Sequence, residues 1–249
     1  MKISFLGTNG WYDTKTGNTP CVLVESEKYY IIFDAGNGIH KLDEYIPENT
    51  NKPIFLFLSH LHLDHIIGLH ILNKFKFCTL LTIVGPSGLK YDLNNIMRPP
   101  YTLPFSKLHY RIRFLELPKD RMEIPFDFKY KRLDHSSTCL GYRLELDGKV
   151  IAYCTDTGLC NNLILLGKNS DLLITECSYE RGFQNPNWPH LNPDDIIALG
   201  RHSGAKRIGL IHFDANRYKT LKDRKTALKY IKKHNIYIVN TFDGKSLSL

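Results

Sequence analysis

A stretch of seven residues, Ser59 to His65, carries three histidines and an aspartate at a spacing that suits metal binding. Imidazole and carboxylate ligands together suit zinc, manganese or iron. Residues two apart in an extended backbone point to the same side, so His60 and His62 can bind one ion. Asp64 and His65 stand where the chain is expected to turn into a helix, and they can bind a second ion. Histidines that are satisfied by ordinary hydrogen bonds are the less favoured interpretation.

Four further candidate residues lie elsewhere in the chain, each directly after a predicted strand. Rigid scaffolds present functional side chains at such positions, and the four residues are Asp34, His135, Asp156 and His212. Each of them alone is more often an ordinary loop residue. Their joint occurrence after successive strands favours one shared site.

Hydrophobic patterning predicts the elements that would position these residues. Short apolar or β-branched runs predict strands over residues 2–6, 21–25, 30–33, 54–58, 80–84, 110–115, 126–133, 142–146, 150–153, 172–175, 207–211 and 237–239. Helices are predicted over residues 38–45, 66–75, 193–202 and 221–233. Many strands with interspersed helices indicate helices that cover the faces of sheets.

Length and charge set wider limits on the protein. A chain of 249 residues fits one domain over 1–249, long enough to fold without structural metals or disulfides. The formal charge of +8 favours anionic partners, although a lysine-rich solvated surface would give the same value. Much of the excess lies between Lys219 and Lys233, which is predicted to be a surface helix. That helix lacks interleaved aromatic residues, so stable nucleic-acid binding is not expected.

The six cysteines form no C-x-x-C pair, which argues against a zinc-finger or thioredoxin-like site. The chain begins directly with a strand-like run, without the apolar core of a signal peptide. No stretch approaches the roughly 18 apolar residues of a membrane helix. We therefore expect a cytoplasmic protein that does not bind membranes.

The ordered motifs resemble the metallo-β-lactamase superfamily in its ribonuclease-Z-like phosphodiesterase branch. The family's HxHxDH motif is matched by residues 60–65, its D-x-G turn by Asp34 and Gly36, and its D-T-G turn by residues 156–158. The resemblance covers nearly the whole chain. It implies a four-layer αββα sandwich with the site at one rim of the two sheets.

The resemblance also implies cofactors and ligand roles. The cofactors would be two divalent ions, with zinc as the favoured metal and manganese as the alternative. The family pattern assigns His60, His62 and His135 to the first ion, assigns Asp64, His65 and His212 to the second, and makes Asp156 the bridge. Asp34 is implied as a supporting residue. Two dications outweigh the two ligating carboxylates, so the site stays net positive and suits an anionic phosphodiester.

Three residues are candidates for the catalytic steps. Asp64 is expected to orient the attacking water. The run around Glu176 resembles the ribonuclease Z segment in which a glutamate pairs with a histidine, and His190 precedes a predicted helix as that histidine does. We predict His190 as the general acid, held protonated by Glu176. The alternative is that His190 only marks the start of the helix.

The substrate is predicted from two departures from the tRNA-processing members. Those members carry a long basic arm between the third histidine and the bridging aspartate, whereas only residues 136–155 separate His135 from Asp156 here. Asp147-Gly148 predicts a simple hairpin turn within that segment. The family's H-F-S-x-R-Y ending is also altered. The sequence is most similar to anti-Pycsar-type cyclic-nucleotide phosphodiesterases, so a small phosphodiester such as a cyclic nucleotide monophosphate is favoured.

Three aromatic residues have two alternative roles. Trp11, Tyr12 or Tyr101 could stack on a base, or they could be core or rim aromatics. The segment from Pro99 to Ser106 contains three prolines and is predicted to be an exposed, stiff loop. It is either a plain connector or a wall of the active site. Members of this group are typically homodimers, and this loop is the candidate to reach the partner's site.

Three other functions remain open from the sequence. An RNA-processing enzyme without the arm, such as a ribonuclease-Z-like tRNA 3′ endonuclease, would bind with strong salt dependence. A thioester, lactone or carboxylic-ester hydrolase could use the same metal motif. A metal-bound receptor without catalysis is disfavoured, because a decayed enzyme would more often have lost a ligand.

Overall fold

The computed structural model describes residues 1–249, which form fifteen strands and five α-helices. The strands are β1 (Lys2–Gly7), β2 (Asn9–Gly10), β3 (Cys21–Glu25), β4 (Tyr30–Phe33), β5 (Ile54–Phe57), β6 (Leu81–Pro86), β7 (Ile112–Leu117), β8 (Phe128–Arg132), β9 (Leu140–Leu146), β10 (Lys149–Cys154), β11 (Leu172–Glu176), β12 (Ile208–Ile211), β13 (Phe213–Asp214), β14 (Ile238–Val239) and β15 (Ser246–Ser248). The α-helices are α1 (Leu63–Ile66), α2 (Leu89–Ile96), α3 (Asn161–Gly167), α4 (Pro193–Ser203) and α5 (Leu221–Lys232). Four 3₁₀ helices lie at Asn37–Glu44, Ile67–Lys74, Phe105–Lys107 and Arg121–Glu123.

Thirteen of the strands form two large sheets of similar layout. The first sheet has seven strands in the order β15-β1-β3-β4-β5-β6-β7, and the second has six in the order β14-β12-β11-β10-β9-β8. Strands β4 to β7 are parallel, as are β10, β11, β12 and β14. β15 pairs with β1, so both ends of the chain join one sheet. This pairing is consistent with one domain over 1–249, which stays a prediction.

Three apolar cores separate four layers. One core packs side chains such as Ile32 and Leu56 of the first sheet against helical residues such as Leu69. A second lies between the two sheets and is rich in aromatic rings. The third packs the second sheet against α3, α4 and α5. Because layered domains bury one apolar face at each contact, three cores establish the predicted four-layer αββα architecture.

The segment between His135 and Asp156 is a short hairpin, as predicted. Strands β9 and β10 pair directly, with Leu146 opposite Lys149. Asp147 and Gly148 both have positive φ, 51° and 68°, as a two-residue hairpin turn of this kind requires. No extended arm interrupts this part of the chain.

Several sequence predictions need correction. The helix expected over residues 66–75 begins at Leu63 and continues as the 3₁₀ helix Ile67–Lys74, so Asp64 and His65 lie inside its first turn. Helices α2 and α3 and the strands β2, β13 and β15 were missed, since they span eight residues or fewer and their pattern is weak. Phe105 is buried and meets Phe114 edge-on, so it belongs to the core and not to an exposed loop.

None of the helices combines the length and apolar character needed to cross a membrane.

Candidate active site

The candidate residues lie at one edge of the sandwich, just beyond the carboxyl ends of strands. Asp34 follows β4, the histidine-rich stretch follows β5, and Asp156 and His212 follow β10 and β12. Parallel strands bring their carboxyl ends to a common edge, where open α/β sheets present functional groups. The structure therefore brings all seven predicted metal ligands together, as well as Glu176 and His190.

Left-handed backbone at these strand ends redirects the side chains. Asp34, Asp156 and His212 have φ values of 57°, 54° and 50°, and Trp11 beside them has 73°. Residues other than glycine seldom adopt this region. Such conformations cost about 1–3 kcal/mol each and cluster at functional sites. Their occurrence at one edge of the sandwich supports a functional role for that edge.

The first ligand group consists of His60, His62 and His135. Their ligand atoms and a carboxylate oxygen of Asp156 all lie within 4.8 Å of one another. His62 Nδ1 and His135 Nε2 are 3.3 Å apart. Two nitrogens bound to one zinc ion at tetrahedral angles would stand about 3.3 Å apart, so this spacing fits a shared ion.

The second ligand group consists of Asp64, His65 and His212, whose ligand atoms also lie within 4.8 Å of one another. Nε2 of His212 is 3.1 Å from Asp64 Oδ2. Asp156 Oδ1 is 3.3 Å from His65 Nε2, and its Oδ2 is 3.3 Å from His212 Nε2. Asp156 Oδ2 also lies 3.7 Å from Nε2 of His60 in the first group. Asp156 therefore lies between the two ligand groups, where a bridging carboxylate would stand.

Hydrogen bonds fix which ring nitrogen of each histidine faces the site. His60 Nδ1 donates to Ser59 Oγ at 2.9 Å, and His212 Nδ1 donates to Ser178 Oγ at 2.8 Å. The Nε2 atoms of His60 and His65 are buried without any hydrogen-bond partner. Buried polar atoms are nearly always satisfied, and metal-binding histidines are typically oriented through their other nitrogen. The donor set thus fits a divalent metal site.

Asp34 is fully buried and links both sheets to the site. Its Oδ2 accepts from the Ser59 hydroxyl at 2.9 Å, from His65 Nδ1 at 2.8 Å and from the Tyr153 hydroxyl at 2.7 Å. Its Oδ1 accepts from the Ser59 backbone N–H at 2.7 Å. Asp34 thereby orients His65 directly and His60 through Ser59.

The electrostatic setting differs between the two groups. Burial lowers the pKa of His60 well below its usual value and that of His135 to about 4, so both rings are neutral, as ligation requires. Burial also disfavours the charged form of His65, but Asp156 and Asp64 outweigh this effect and raise its pKa well above the usual value. These carboxylates therefore place negative charge around the second group, and a bound cation would neutralise it.

His190 and Glu176 form the predicted pair. His190 Nδ1 donates to the Glu176 carboxylate, at 2.8 Å from Oε1 and 2.9 Å from Oε2. The Thr157 backbone N–H also donates to Oε1 and orients the carboxylate. Although burial disfavours the charged ring, Glu176 outweighs it and raises the pKa of His190 to about 9. The contact with Glu176 therefore favours the protonated ring.

A cavity of about 470 Å³ opens above these groups. Its lining includes Trp11, Trp188 and Arg217 together with candidate ligands and His190. Tyr101 does not line this cavity and lies in a separate apolar groove. Its contact with a partner's site stays a prediction.

Sequence reasoning missed Trp188, Ser178 and Tyr153. Ser178 and Trp188 each stand two residues from a predicted catalytic residue, Glu176 and His190 respectively, and that proximity was the available signal. Tyr153 carried no such signal, because its sequence context is an ordinary strand.

The four-layer fold and the clustered histidines and carboxylates are those of a metal-dependent hydrolase. A family model for the beta-lactamase superfamily domain matches residues 29–213, so the chain belongs to that superfamily. The predicted metallo-β-lactamase fold and hydrolase class are thereby confirmed, and a receptor without catalysis is set aside.

Individual relatives agree with this placement. Ribonuclease Z of Staphylococcus aureus is 24% identical in an alignment covering 88% of this chain and 90% of the relative. Among solved structures, the metallo-beta-lactamase fold protein YhfI of Bacillus subtilis matches with a TM-score of 0.78 at 20% identity, covering 99% of this chain and 98% of that chain. Human tRNase Z, short form, matches with a TM-score of 0.72 at 22% identity, covering 100% and 99%. A diphosphatase from the PhnP family matches with a TM-score of 0.69 at 16% identity, covering 100% and 97%.

The Asp34 network predicts a measurable effect on metal affinity. In Asp34→Asn, one carboxylate oxygen is replaced by an N–H donor, which conflicts with the donors that surround it and releases His65. We expect the affinity for Zn²⁺ to fall about 10–100-fold, measured by competition with a chelator. Asp43→Asn, at an exposed residue paired with Lys74, is the control and should bind as the wild type does. A folded Asp34→Asn protein with unchanged affinity would contradict this role.

Proposed function

We propose that the protein is a two-metal phosphodiesterase acting on small phosphodiesters, with cyclic nucleotide monophosphates as the favoured substrates. Degradation of a defence or signalling nucleotide, as in anti-Pycsar-type enzymes, is the corresponding biological role. The observation that carries the proposal is the cavity of about 470 Å³ over the candidate ligands. This volume lies in the lower part of the range of roughly 300–1,000 Å³ for small-molecule sites. The short β9–β10 hairpin leaves this part of the chain without an arm for a larger RNA.

The first ligand group would hold one divalent ion and the second group another, with Asp156 shared between them. Zinc is favoured, and manganese is the alternative. When bound, the ions would activate a water molecule and neutralise charge on the phosphoryl oxygens. Asp64 lines the cavity and would orient the attacking water.

Protonation of the leaving oxygen is assigned to His190. Its Nδ1 is bonded to Glu176, so Nε2 is the atom that can give a proton. His190 lines the cavity, and Glu176 keeps the ring charged until the transfer. A positioned general acid of this kind typically contributes about 10²–10⁴-fold to the rate.

A ribonuclease-Z-like tRNA 3′ endonuclease is the second candidate. The Staphylococcus aureus ribonuclease Z favours it, since the alignment covers 88% of the chain at 24% identity. Binding of RNA by this protein would rely on phosphate contacts and fall steeply with salt. A thioester or lactone hydrolase on the same fold remains a further alternative.

A substrate panel separates these functions. With Zn²⁺ or Mn²⁺ added, we expect turnover of 3′,5′- or 2′,3′-cyclic nucleotides and little turnover of a tRNA precursor or a thioester. His62→Ala should abolish the activity because it removes a ligand of the first group, whereas His40→Ala, at an exposed histidine outside the site, should keep it. Cleavage of only the precursor or only the thioester would refute the proposed substrate class.

The His190 assignment predicts a specific pH profile. We expect kcat to fall as the pH rises above about 9, because the ring then loses its proton. In Glu176→Gln the fall should move to lower pH, toward the ordinary histidine pKa of about 6.5. His190→Ala should lose about 10²–10⁴-fold in kcat on an unactivated phosphodiester while it keeps its metal content. Loss of bound metal would instead identify His190 as a ligand, since it lies within 4.8 Å of ligand atoms of Asp156 and His212.

We also propose a homodimer that uses the apolar groove containing Leu63, Ile67, Ile96 and Tyr101. Light scattering should give twice the chain mass of 28.8 kDa. Tyr101 is 70% exposed, so Tyr101→Ala should weaken the dimer without unfolding the chain, whereas Tyr91→Ala, at a residue 73% exposed outside the groove, should not. A monomeric wild-type protein would exclude this assembly.

A further inference from the structure

Both tryptophans of the chain line the candidate active-site cavity, although neither is a candidate ligand. The chain contains two, Trp11 and Trp188. They are 66% and 45% exposed. Apolar surface gains free energy when it leaves water, and indole rings offer a large flat area of it. Two exposed indoles at one cavity are therefore surfaces that a ligand can cover.

Trp11 lies beside the second ligand group. Its backbone N–H donates to Asp64 Oδ2 at 2.9 Å, and its ring meets the ring of Tyr12 edge-on. The φ value of 73° is one that bulky residues rarely adopt. Strained backbone of this kind persists where the surroundings over-determine it, and it is concentrated at ligand-binding and catalytic sites.

Trp188 lies beside the first ligand group. Its ring is parallel to the His62 imidazole, with 5.8 Å between centroids and 4° between planes. It meets the His135 ring edge-on, with 68° between planes. The Tyr179 hydroxyl donates to its backbone carbonyl and so holds the loop that carries it. Trp188 and Trp11 thus stand next to different ligand groups of the same cavity.

We propose that Trp11 and Trp188 form an aromatic subsite that binds a planar ring of the substrate by stacking; the assignment of that ring rests on the phosphodiesterase function proposed above. The planar ring that a nucleotide carries near its phosphate is the nucleobase. Stacking uses the π-face that every base possesses and tolerates different sequences. The subsite therefore selects nucleotides over phosphate esters without an aromatic ring and discriminates only weakly among the four bases.

Binding of two matched probes tests this subsite in the metal-loaded protein. Adenosine 5′-monophosphate and ribose 5-phosphate share the sugar phosphate and differ in the base, and calorimetry gives both affinities. We expect the wild type to bind adenosine 5′-monophosphate more tightly. Trp188→Ala and Trp11→Ala should each weaken that binding and leave the affinity for ribose 5-phosphate unchanged. The loss should be about 5- to 150-fold in the variant that lacks the more closely stacked ring.

Conservative and control variants separate stacking from folding. Trp188→Phe and Trp11→Phe keep an aromatic face and should retain most of the affinity. Tyr237→Ala removes an aromatic side chain that is 67% exposed and outside the cavity, and it should change neither affinity. Because the chain has no third tryptophan, fluorescence quenching in each Phe variant reports on the one remaining indole.

Three results would overturn the subsite. They are equal or undetectable binding of the two probes by the wild type, unchanged affinity for adenosine 5′-monophosphate in both Ala variants, and an equal loss for both probes in the Ala variants. The last result would indicate a structural role. Failure of the proposed function is a separate outcome, because it would appear as absent phosphodiester hydrolysis in the wild type whatever the ratio of the two affinities.

Discussion

The site depends on the hydrogen bonds that the buried carboxylate of Asp34 accepts. A charge without contact to water is costly unless hydrogen bonds satisfy it, and here Ser59, His65 and Tyr153 supply them. Ser59 follows a strand of the first sheet, whereas Tyr153 lies in the second. The same carboxylate therefore joins the two sheets and fixes the direction of a candidate ligand. This one network therefore stabilises the edge of the sandwich and also sets the geometry of the candidate metal site.

The edge of the sandwich concentrates features that would each be unfavourable elsewhere. Left-handed backbone occurs at Asp34, Asp156 and His212, and imidazole nitrogens of His60 and His65 are buried without partners. Bound cations would satisfy these nitrogens and reduce the repulsion between the carboxylates. The rest of the fold, with three separate apolar cores, supplies the stability that such a site requires.

The sequence predicted the layers and the clustering of the candidate ligands well, for a physical reason. Buried strands leave strong apolar runs, and side chains placed just after them are brought to one edge by the sheet itself. Contacts between distant segments leave no such trace: nothing in the sequence near Tyr153 indicates its bond to Asp34. Trp188 was missed because its loop has no periodic pattern. Phe105 was misassigned because three nearby prolines indicated an exposed loop, whereas its ring packs into the core.

Both the hydrolase class and the proposed chemistry require ions at particular positions. Anomalous diffraction from crystals of the Zn²⁺-loaded protein would locate them directly. We expect two peaks about 3.5–4 Å apart, one within the first ligand group and one within the second, with Asp156 in contact with both. A single peak, or peaks that leave either ligand group without an ion, would contradict the two-metal site.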